Sequence, residues 1–544
     1  MTDGDGERDP DTGDERDPDA GDERDPDAGP RTETNSEPKR ASLLRRSLRA
    51  VTRSFAPGGD LATRTARSGV WMTALNVSRR ALELVALLVL ARLLTPDDFG
   101  LLGIALLVLT GLDRFSQLGF TSALIQNREE NVDRYLDTAW SLQLLRGLIL
   151  GGVTLLIAGP AADFFNEPAV EPILQVVALT PVLAGFENPG VIYFQKDLEF
   201  HRQFVHLMST SVVYVGVTIA LAFLWGNVWA LVVGKVVSEV SQTVVSYLIH
   251  GYRPRPKLDR EAASELIGFG KWVTVSSIIY FLADEGDDFV VGWLLTAASL
   301  GFYRLAYRLA LTPVSEVTGV VSTVMFPAYS KLQDDLRAVR EAFFKTIQLT
   351  TALTFPIGVG ILVVAPLFVE GVLGTEWTPM VEALQILSVY GLIISLAASF
   401  GPVWLALGRP DITAKIGALR VAVMAVIIYP ATTGFGLVGT AGAVIAAYLL
   451  GGLPADLFLA KRHMGLGLTR FAHELAFPAA AAGSMGAVVW TVREALVIEA
   501  ALLELALLVA LGVVVYAAVA VALVRGLGWQ LEQNVRSVAS ALGG

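Results

Sequence analysis

The sequence predicts an all-α polytopic membrane protein of about fourteen transmembrane helices, built as two pseudo-symmetric six-helix lobes plus two extra helices. Three observations predict it. First, 53% of the 544 residues are hydrophobic and the mean hydropathy is +0.54, too apolar for a soluble core of that size. The excess lies in repeated apolar stretches of about 20 residues, the length of helix that crosses a bilayer. Second, part of the chain recurs. Leu93-Leu94-Thr95, Gly100 and Ala105 align with Leu294-Leu295-Thr296, Gly301 and Ala306 at one constant offset. Third, the loop cations alternate from one side of the expected bundle to the other.

The elements follow in chain order. Residues 1–38 repeat Glu-Arg-Asp-Pro-Asp at 7–11, 15–19 and 23–27 and carry fifteen acids against four arginines. Their charge, 4 − 15 = −11, accounts for the whole chain's −10 and leaves the remainder near neutrality. Such a segment cannot bury enough apolar surface to offset ordering, so a disordered, solvating tail is expected. It has no apolar core of a signal peptide. Residues 39–67 reverse the charge. Leu44, Leu48, Val51 and Phe55 fall on one helical face, and Arg45, Arg46, Arg49 and Arg53 on the other. A helix lying on an anionic cytoplasmic leaflet fits this pattern, and nucleic acid is not an expected partner.

Residues 68–250 form an expected N-lobe, with spans near 70–94, 99–119, 136–159, 169–188, 205–225 and 227–249. Residues 264–461 form an expected C-lobe, with spans near 264–294, 299–325, 341–369, 379–407, 411–430 and 436–460. Two more spans are expected within 470–525, followed by a cytoplasmic tail at 526–544. The seventh span is interrupted by Asp284-Glu285-Gly286-Asp287-Asp288, where a break is expected. Placing the basic N-terminus in the cytoplasm puts seventeen loop Lys/Arg residues on that side, from Arg128 to Arg470, and only Arg493 on the other. Both termini are therefore expected in the cytoplasm. Val170-Glu171 and Val381-Glu382 precede the corresponding spans 4 and 10, and Phe120 and Phe326 end the corresponding spans 2 and 8. Two lobes in the same orientation place a substrate site between them.

Ionisable residues inside spans are costly and point to function. Arg79 and Arg80 sit about ten residues into span 1, roughly 15 Å deep. Glu83 is in register with both, at i,i+4 and i,i+3. One carboxylate cannot neutralise two arginines, so a further partner is expected; a structural ion pair is the bland alternative. Arg304 and Arg308 lie one turn apart on span 8, flanked by Tyr303 and Tyr307, with no carboxylate within four residues. Guanidinium forks suit phosphate oxygens, and aromatic faces suit sugar rings. The alternative for Tyr303 and Arg304 is an interfacial belt. Arg114, Arg146 and Lys235 add cations to the first lobe, with Asp113 and Glu239 as nearby partners. Arg420 stands alone in sequence. Asp284, Glu285, Asp287 and Asp288 could bind a coupling cation at the helix break, or merely dress an external turn. Asp284 and Asp288, Glu83 and Glu187 are the ion-coupling candidates. These groups suggest a duplicated transporter with a positively charged centre, in which unpaired arginines predominate.

Catalysis is not expected. The chain has no cysteine, its five histidines have no zinc spacing, and no phosphate-binding glycine loop is present. Neither a cofactor nor a metal site is expected.

Several phrases resemble a known family. Leu90-Ala91-Arg92-Leu93-Leu94-Thr95-Pro96-Asp97-Asp98-Phe99-Gly100-Leu101, Leu118-Gly119-Phe120-Thr121-Ser122-Ala123-Leu124-Ile125-Gln126 and Val228-Trp229-Ala230-Leu231-Val232 carry the resemblance. So do Asp288-Phe289-Val290-Val291-Gly292, the run from Leu300 to Arg308, Phe326-Pro327-Ala328, Trp377 and Leu407-Gly408-Arg409-Pro410-Asp411. Over about residues 68–465 the chain resembles the polysaccharide biosynthesis flippases of the O-antigen type. These belong to the multidrug/oligosaccharidyl-lipid/polysaccharide exporter superfamily. The resemblance implies two lobes that open alternately to each face of the cell membrane. The substrate it implies is an oligosaccharide on a polyprenyl phosphate or diphosphate. It also implies phosphate-holding arginines on spans 1, 2 and 8, where Arg79, Arg80, Arg114, Arg304 and Arg308 fall. Tyr303 and Tyr307 then face the glycan, and glycosyltransferases or a polymerase are possible further partners. The rival readings are a cation-coupled multidrug antiporter of the same superfamily and a non-transporting scaffold for glycosyltransferases.

Overall fold

The computed structural model describes residues 61–116, 133–197, 199–260, 263, 277–278, 281–496, 498 and 500–527. The acidic tail, the basic segment up to residue 60, Phe120 and its phrase, and the tail beyond 527 lie outside the described residues. Contacts divide the chain into Met1–Arg64 and Thr65–Gly544. Residues 61–64 of the first unit begin a helix, and all other described residues belong to the second unit.

Among the described residues the regular structure is helical, with no strand. The first six spans correspond to α1 Leu61–Leu93, α2 Pro96–Phe115, α3 Asp133–Phe164, the short pieces α4 Val170–Val177, α5 Leu179–Gly185 and α6 Ile192–Lys196, then α7 Phe200–Trp225 and α8 Trp229–Ile249. The second set comprises α9 Gly286–Leu294, α10 Ala297–Leu332, α11 Leu336–Phe368, α12 Val381–Ala398, α13 Phe400–Ala406, α14 Pro410–Ala447 and α15 Leu453–Met464. α16 Leu468–Ala495 and α17 Ala501–Leu527 follow. Nine helical segments among the described residues are long and apolar enough to cross a membrane, ten with the bent segment 170–196 counted as one. One of the nine, Pro410–Met464, is two helices joined at Gly436, whose φ of 59° glycine adopts without strain. This accommodates spans 11 and 12, and the fold is that of a multi-pass membrane protein.

Local chemistry explains the repeated hairpin. Thr95 caps α2: its hydroxyl accepts from the Asp98 amide while the Asp98 carboxylate accepts from the Thr95 amide at 2.9 Å, and Pro96 fills the first turn. At the equivalent place in the second copy, Thr296 caps α10 by accepting from Ser299 at 3.2 Å. The interruption in span 7 takes its expected form, with a bend at Glu285 between the helical residues 281–284 and α9.

The two hairpins pack on each other reciprocally. A Cβ placed on Gly100 would run into the Ala297 carbonyl, and one on Gly301 into the Pro96 carbonyl. Pro96 and Ala297 are themselves repeat equivalents. This exchange of contacts is what a two-fold axis between duplicated units produces. Glycine is required at both positions because the backbones of α2 and α10 touch. Around this crossing lies the main apolar core, which includes Ile104, Ala105, Leu107, Leu300, Ala306 and Leu387.

Two further ties close the same end. The Trp377 indole is buried against Phe99 and Phe302, edge-on at 5.3 and 6.0 Å, and donates to the Ala91 carbonyl at 2.8 Å. Arg92, at the end of α1, donates to the carbonyls of Gly371 and Val372. Replacing Arg92 by Ala is expected to weaken this closed arrangement by about 1–3 kcal/mol, because charged donors to carbonyls are lost. An unchanged melting temperature of the purified protein contradicts that expectation.

The C-terminal pair packs on α11. Arg493 donates to the Val363 carbonyl at 2.7 Å and Tyr516 to that of Ala352 at 2.6 Å. A second core beneath it joins Phe343, Phe400 and Trp404.

Candidate functional site

Helical periodicity brings the singled-out residues onto facing stripes. On α1, Arg80, Glu83, Leu87 and Leu90 recur at three- and four-residue intervals, and on α10 so do Arg304, Arg308, Thr312 and Ser315. Both stripes line a cavity of about 590 Å³, to which α2, α7 and the bend before α9 also contribute. The tie of Gly100, Gly301, Trp377 and Arg92 lies at one end of it. Below the tie the wall is apolar, with Leu87, Leu90, Leu102 and Leu106.

The cations on that wall are Arg80, Arg304 and Arg308; the acids are Glu83, Asp284, Glu285, Asp287 and Asp288. This corrects the expected charge balance. Carboxylates outnumber arginines, and each of the three arginines has an acidic partner. Arg80 Nε lies 2.7 Å from Glu316 Oε1 and its Nη1 3.5 Å from Glu83. Arg308 Nη2 lies 3.1 Å from Glu83 Oε2. Arg304 Nε lies 3.2 Å from Asp288, its Nη2 3.7 Å from Glu285, and its Nη1 donates to the Gly103 carbonyl at 2.9 Å. Arg80–Glu83 is a local pair at i,i+3, but Glu316 of Arg80 and the partners of Arg304 and Arg308 come from other helices, so no local spacing reveals those pairs.

The pairs differ in how easily they exchange. Arg80 and Arg308 are half exposed, with 43% and 49% of their side-chain surface free, and Glu316 is equally open at 47%. Such pairs contribute about 0–1 kcal/mol, so a ligand can replace them at little cost. Asp288, by contrast, is 12% exposed in its pair with Arg304. Removing one member of a buried pair strands the other, which fixes Arg304 in the frame of the site.

The remaining candidates distribute as follows. Tyr307 lines the cavity. Tyr303, expected to face a glycan, is fully buried and donates its hydroxyl to Asp287 at 2.8 Å, so it supports the acid instead of presenting a ring. Arg79 lies beside the wall with its Nε 3.6 Å from Glu83 Oε1, and Arg114 is exposed at the last turn of α2; neither lines the cavity. Asp284 lines the cavity and lies 4.0 Å from Arg420, which also donates to the Tyr448 hydroxyl and stacks over its ring. Glu187 lies apart from the cavity, 2.8 Å from His206 Nε2 and within reach of Gln242. Asp113, the neighbour of Arg114, pairs with Arg146 at 2.6 Å, and Lys235 pairs with Glu239 at 2.5 Å.

Sequence reasoning missed Glu316. Two turns beyond Arg308, it falls on the same face of α10, so counting that face beyond one turn would have found it. Among the described residues no cluster of His, Asp and Glu has the form of a metal site.

Residues 89–382 match a family described as polysaccharide biosynthesis protein. The lipopolysaccharide biosynthesis protein WzxC of Escherichia coli (strain K12) is 28% identical over 66% of this chain and 74% of its own. The succinoglycan biosynthesis transport protein ExoT of Rhizobium meliloti (strain 1021) is 24% identical over 61% of this chain and 67% of its own. Among solved structures, the lipid II flippase MurJ in an inward closed conformation shares the fold with a TM-score of 0.68. It is 13% identical and covers 84% of this chain and 99% of its own.

Proposed function

The chain belongs to the polysaccharide biosynthesis protein family, and from that premise we propose that it translocates a lipid-linked oligosaccharide across the cytoplasmic membrane by alternating access. The substrate is a glycan on a polyprenyl phosphate or diphosphate, made inside and used outside for a surface polysaccharide or glycoprotein glycan. No catalytic step is involved. The observation that carries this reading is the pair of half-exposed arginines, Arg80 and Arg308, facing one cavity from the two repeats.

The loop charges orient the bundle with both termini in the cytoplasm and the 94–95 and 295–296 turns outside. The tie of Gly100, Gly301, Trp377 and Arg92 then closes the outer end, so the cavity receives substrate from the inner side. The phosphoryl oxygens exchange with carboxylates on Arg80 and Arg308, where planar guanidinium groups give forked hydrogen bonds. The volume of about 590 Å³ falls within the roughly 300–1,000 Å³ usual for ligand pockets. Tyr307 and the polar wall receive the glycan, while the polyprenyl chain stays in the bilayer. Outward opening separates Gly100 from Ala297 and Gly301 from Pro96, and the substrate leaves outside. Arg304, held by Asp288 and Gly103, positions the site. Arg79 and Arg114 attract the approaching phosphate from outside the lining. Glycosyltransferases or a polymerase act before and after this step.

One observation favours a second reading. Five carboxylates on the wall suit a cationic substrate or coupling ion, as in a multidrug antiporter. Cells lacking the protein separate the two. The transport reading expects carrier-linked glycan to accumulate inside and surface glycan to disappear. Unchanged glycan pools with altered sensitivity to cationic drugs contradict it and favour the antiporter.

A further inference from the structure

We propose that Glu83 is a built-in placeholder on the anion seat, and that it makes the cavity select a lipid diphosphate over the monoanionic phosphodiester headgroups of ordinary phospholipids. The inference deepens the transport reading above and rests on it.

Glu83 sits where a bridging phosphoryl group would sit. Its Oε2 lies 3.1 Å from Arg308 and 3.5 Å from Arg80, thus joining the two repeats, and its Oε1 lies 3.6 Å from Arg79. On α1 it is only three and four residues from Arg80 and Arg79, so it cannot leave their neighbourhood. A tethered competitor of this kind acts at high effective concentration whatever the ligand supply. Glu316 holds Arg80 from the other repeat at 2.7 Å, so both arginines of the seat are already satisfied.

A bare pair of arginines in a membrane cavity faces a selection problem. Phospholipids carrying one negative charge per phosphodiester surround it in large excess over any glycan carrier. With Glu83 in place, a phosphodiester exchanges one negative charge for another and leaves the displaced carboxylate with Arg79 alone. A diphosphate brings at least two charges. It can engage Arg80 and Arg308 together while Glu83 falls back on Arg79, and so it recovers the lost pair. Penalising the abundant ligand gives specificity that attraction alone does not.

The test uses the full chain in nanodiscs of zwitterionic lipid, with phosphatidylglycerol and farnesyl diphosphate as probes. Glu83→Gln keeps the shape and removes the charge; Glu83→Ala serves as the second variant. Losing a competitor that pairs with both Arg80 and Arg308 predicts phosphatidylglycerol binding up to about tenfold tighter in both variants. Farnesyl diphosphate is expected to gain no more than about threefold, so the preference for diphosphate falls. An unchanged preference in both variants overturns the proposal while Arg80→Ala with Arg308→Ala still abolishes binding. If that double variant binds both probes normally, the anion seat itself is wrong, and the transport reading falls with the placeholder.

Discussion

A chain carrying Arg80→Ala together with Arg308→Ala is expected to lose export by at least about a hundredfold while staying in the membrane at wild-type level. The size follows from the bonds removed. Hydrogen bonds to charged groups contribute about 1.5–3 kcal/mol each, so two arginine–phosphate contacts amount to roughly 3–6 kcal/mol. At about 1.4 kcal/mol per factor of ten, that is a loss of roughly 10²–10⁴. The fold should survive, because both side chains are half exposed, Glu316 is open to water and Glu83 keeps Arg79 as a partner. Arg304→Ala is the useful contrast. It empties a contact to the Gly103 carbonyl and strands Asp288, so it should lower stability as well as transport. Export assays alongside membrane protein levels check both. Wild-type export by the double variant removes the arginines from the mechanism.

Gly301→Val is expected to trap the protein with its outer end open. A Cβ at this position meets the Pro96 carbonyl and carbonyl carbon, backbone atoms that cannot rotate away. Overpacking costs about 1–3 kcal/mol and more where backbone must shift, enough to move a two-state population by roughly five- to more than a hundredfold. The chain has no cysteine, so a single one can report the change. Leu106→Cys, on the cavity wall, should react with a membrane-impermeant thiol reagent added outside only when Gly301→Val is also present. Gly100→Val should behave alike, since its Cβ meets Ala297 in the mirrored contact. A Leu106→Cys side chain still shielded from outside in both variants contradicts the assignment of this crossing as the outer gate.

The sequence carried these features unevenly, for physical reasons. The duplicated hairpin was legible because threonine caps and glycines at backbone crossings are local requirements, and they recur at the same offset. The pairing of Glu83 with Arg79 and Arg80 was legible because helix geometry fixes neighbours three and four residues away. The partners of Arg304 and Arg308 were not. Asp288 and Glu285 reach Arg304 from the break in the preceding span, and Glu83 reaches Arg308 from the other repeat, so only tertiary packing brings them together. The same limit made the cavity look more cationic than it is. Tyr303 was misread because its neighbours Arg304 and Tyr307 suggested a shared exposed face. Arg304, at i+1, points a different way around the helix; Tyr307, one turn on, shares the face of Tyr303, but Tyr303 is fully buried and turns to Asp287.

Reconstitution tests the central claim most directly. Purified full-length protein is placed in liposomes with a fluorescent oligosaccharide on a polyprenyl diphosphate, and the labelled glycan reaching the opposite leaflet is followed. The account predicts movement well above that of protein-free liposomes, lost in the Arg80→Ala, Arg308→Ala double variant. A glycan that stays in its leaflet, in vesicles where the same protein moves a cationic drug, would contradict it.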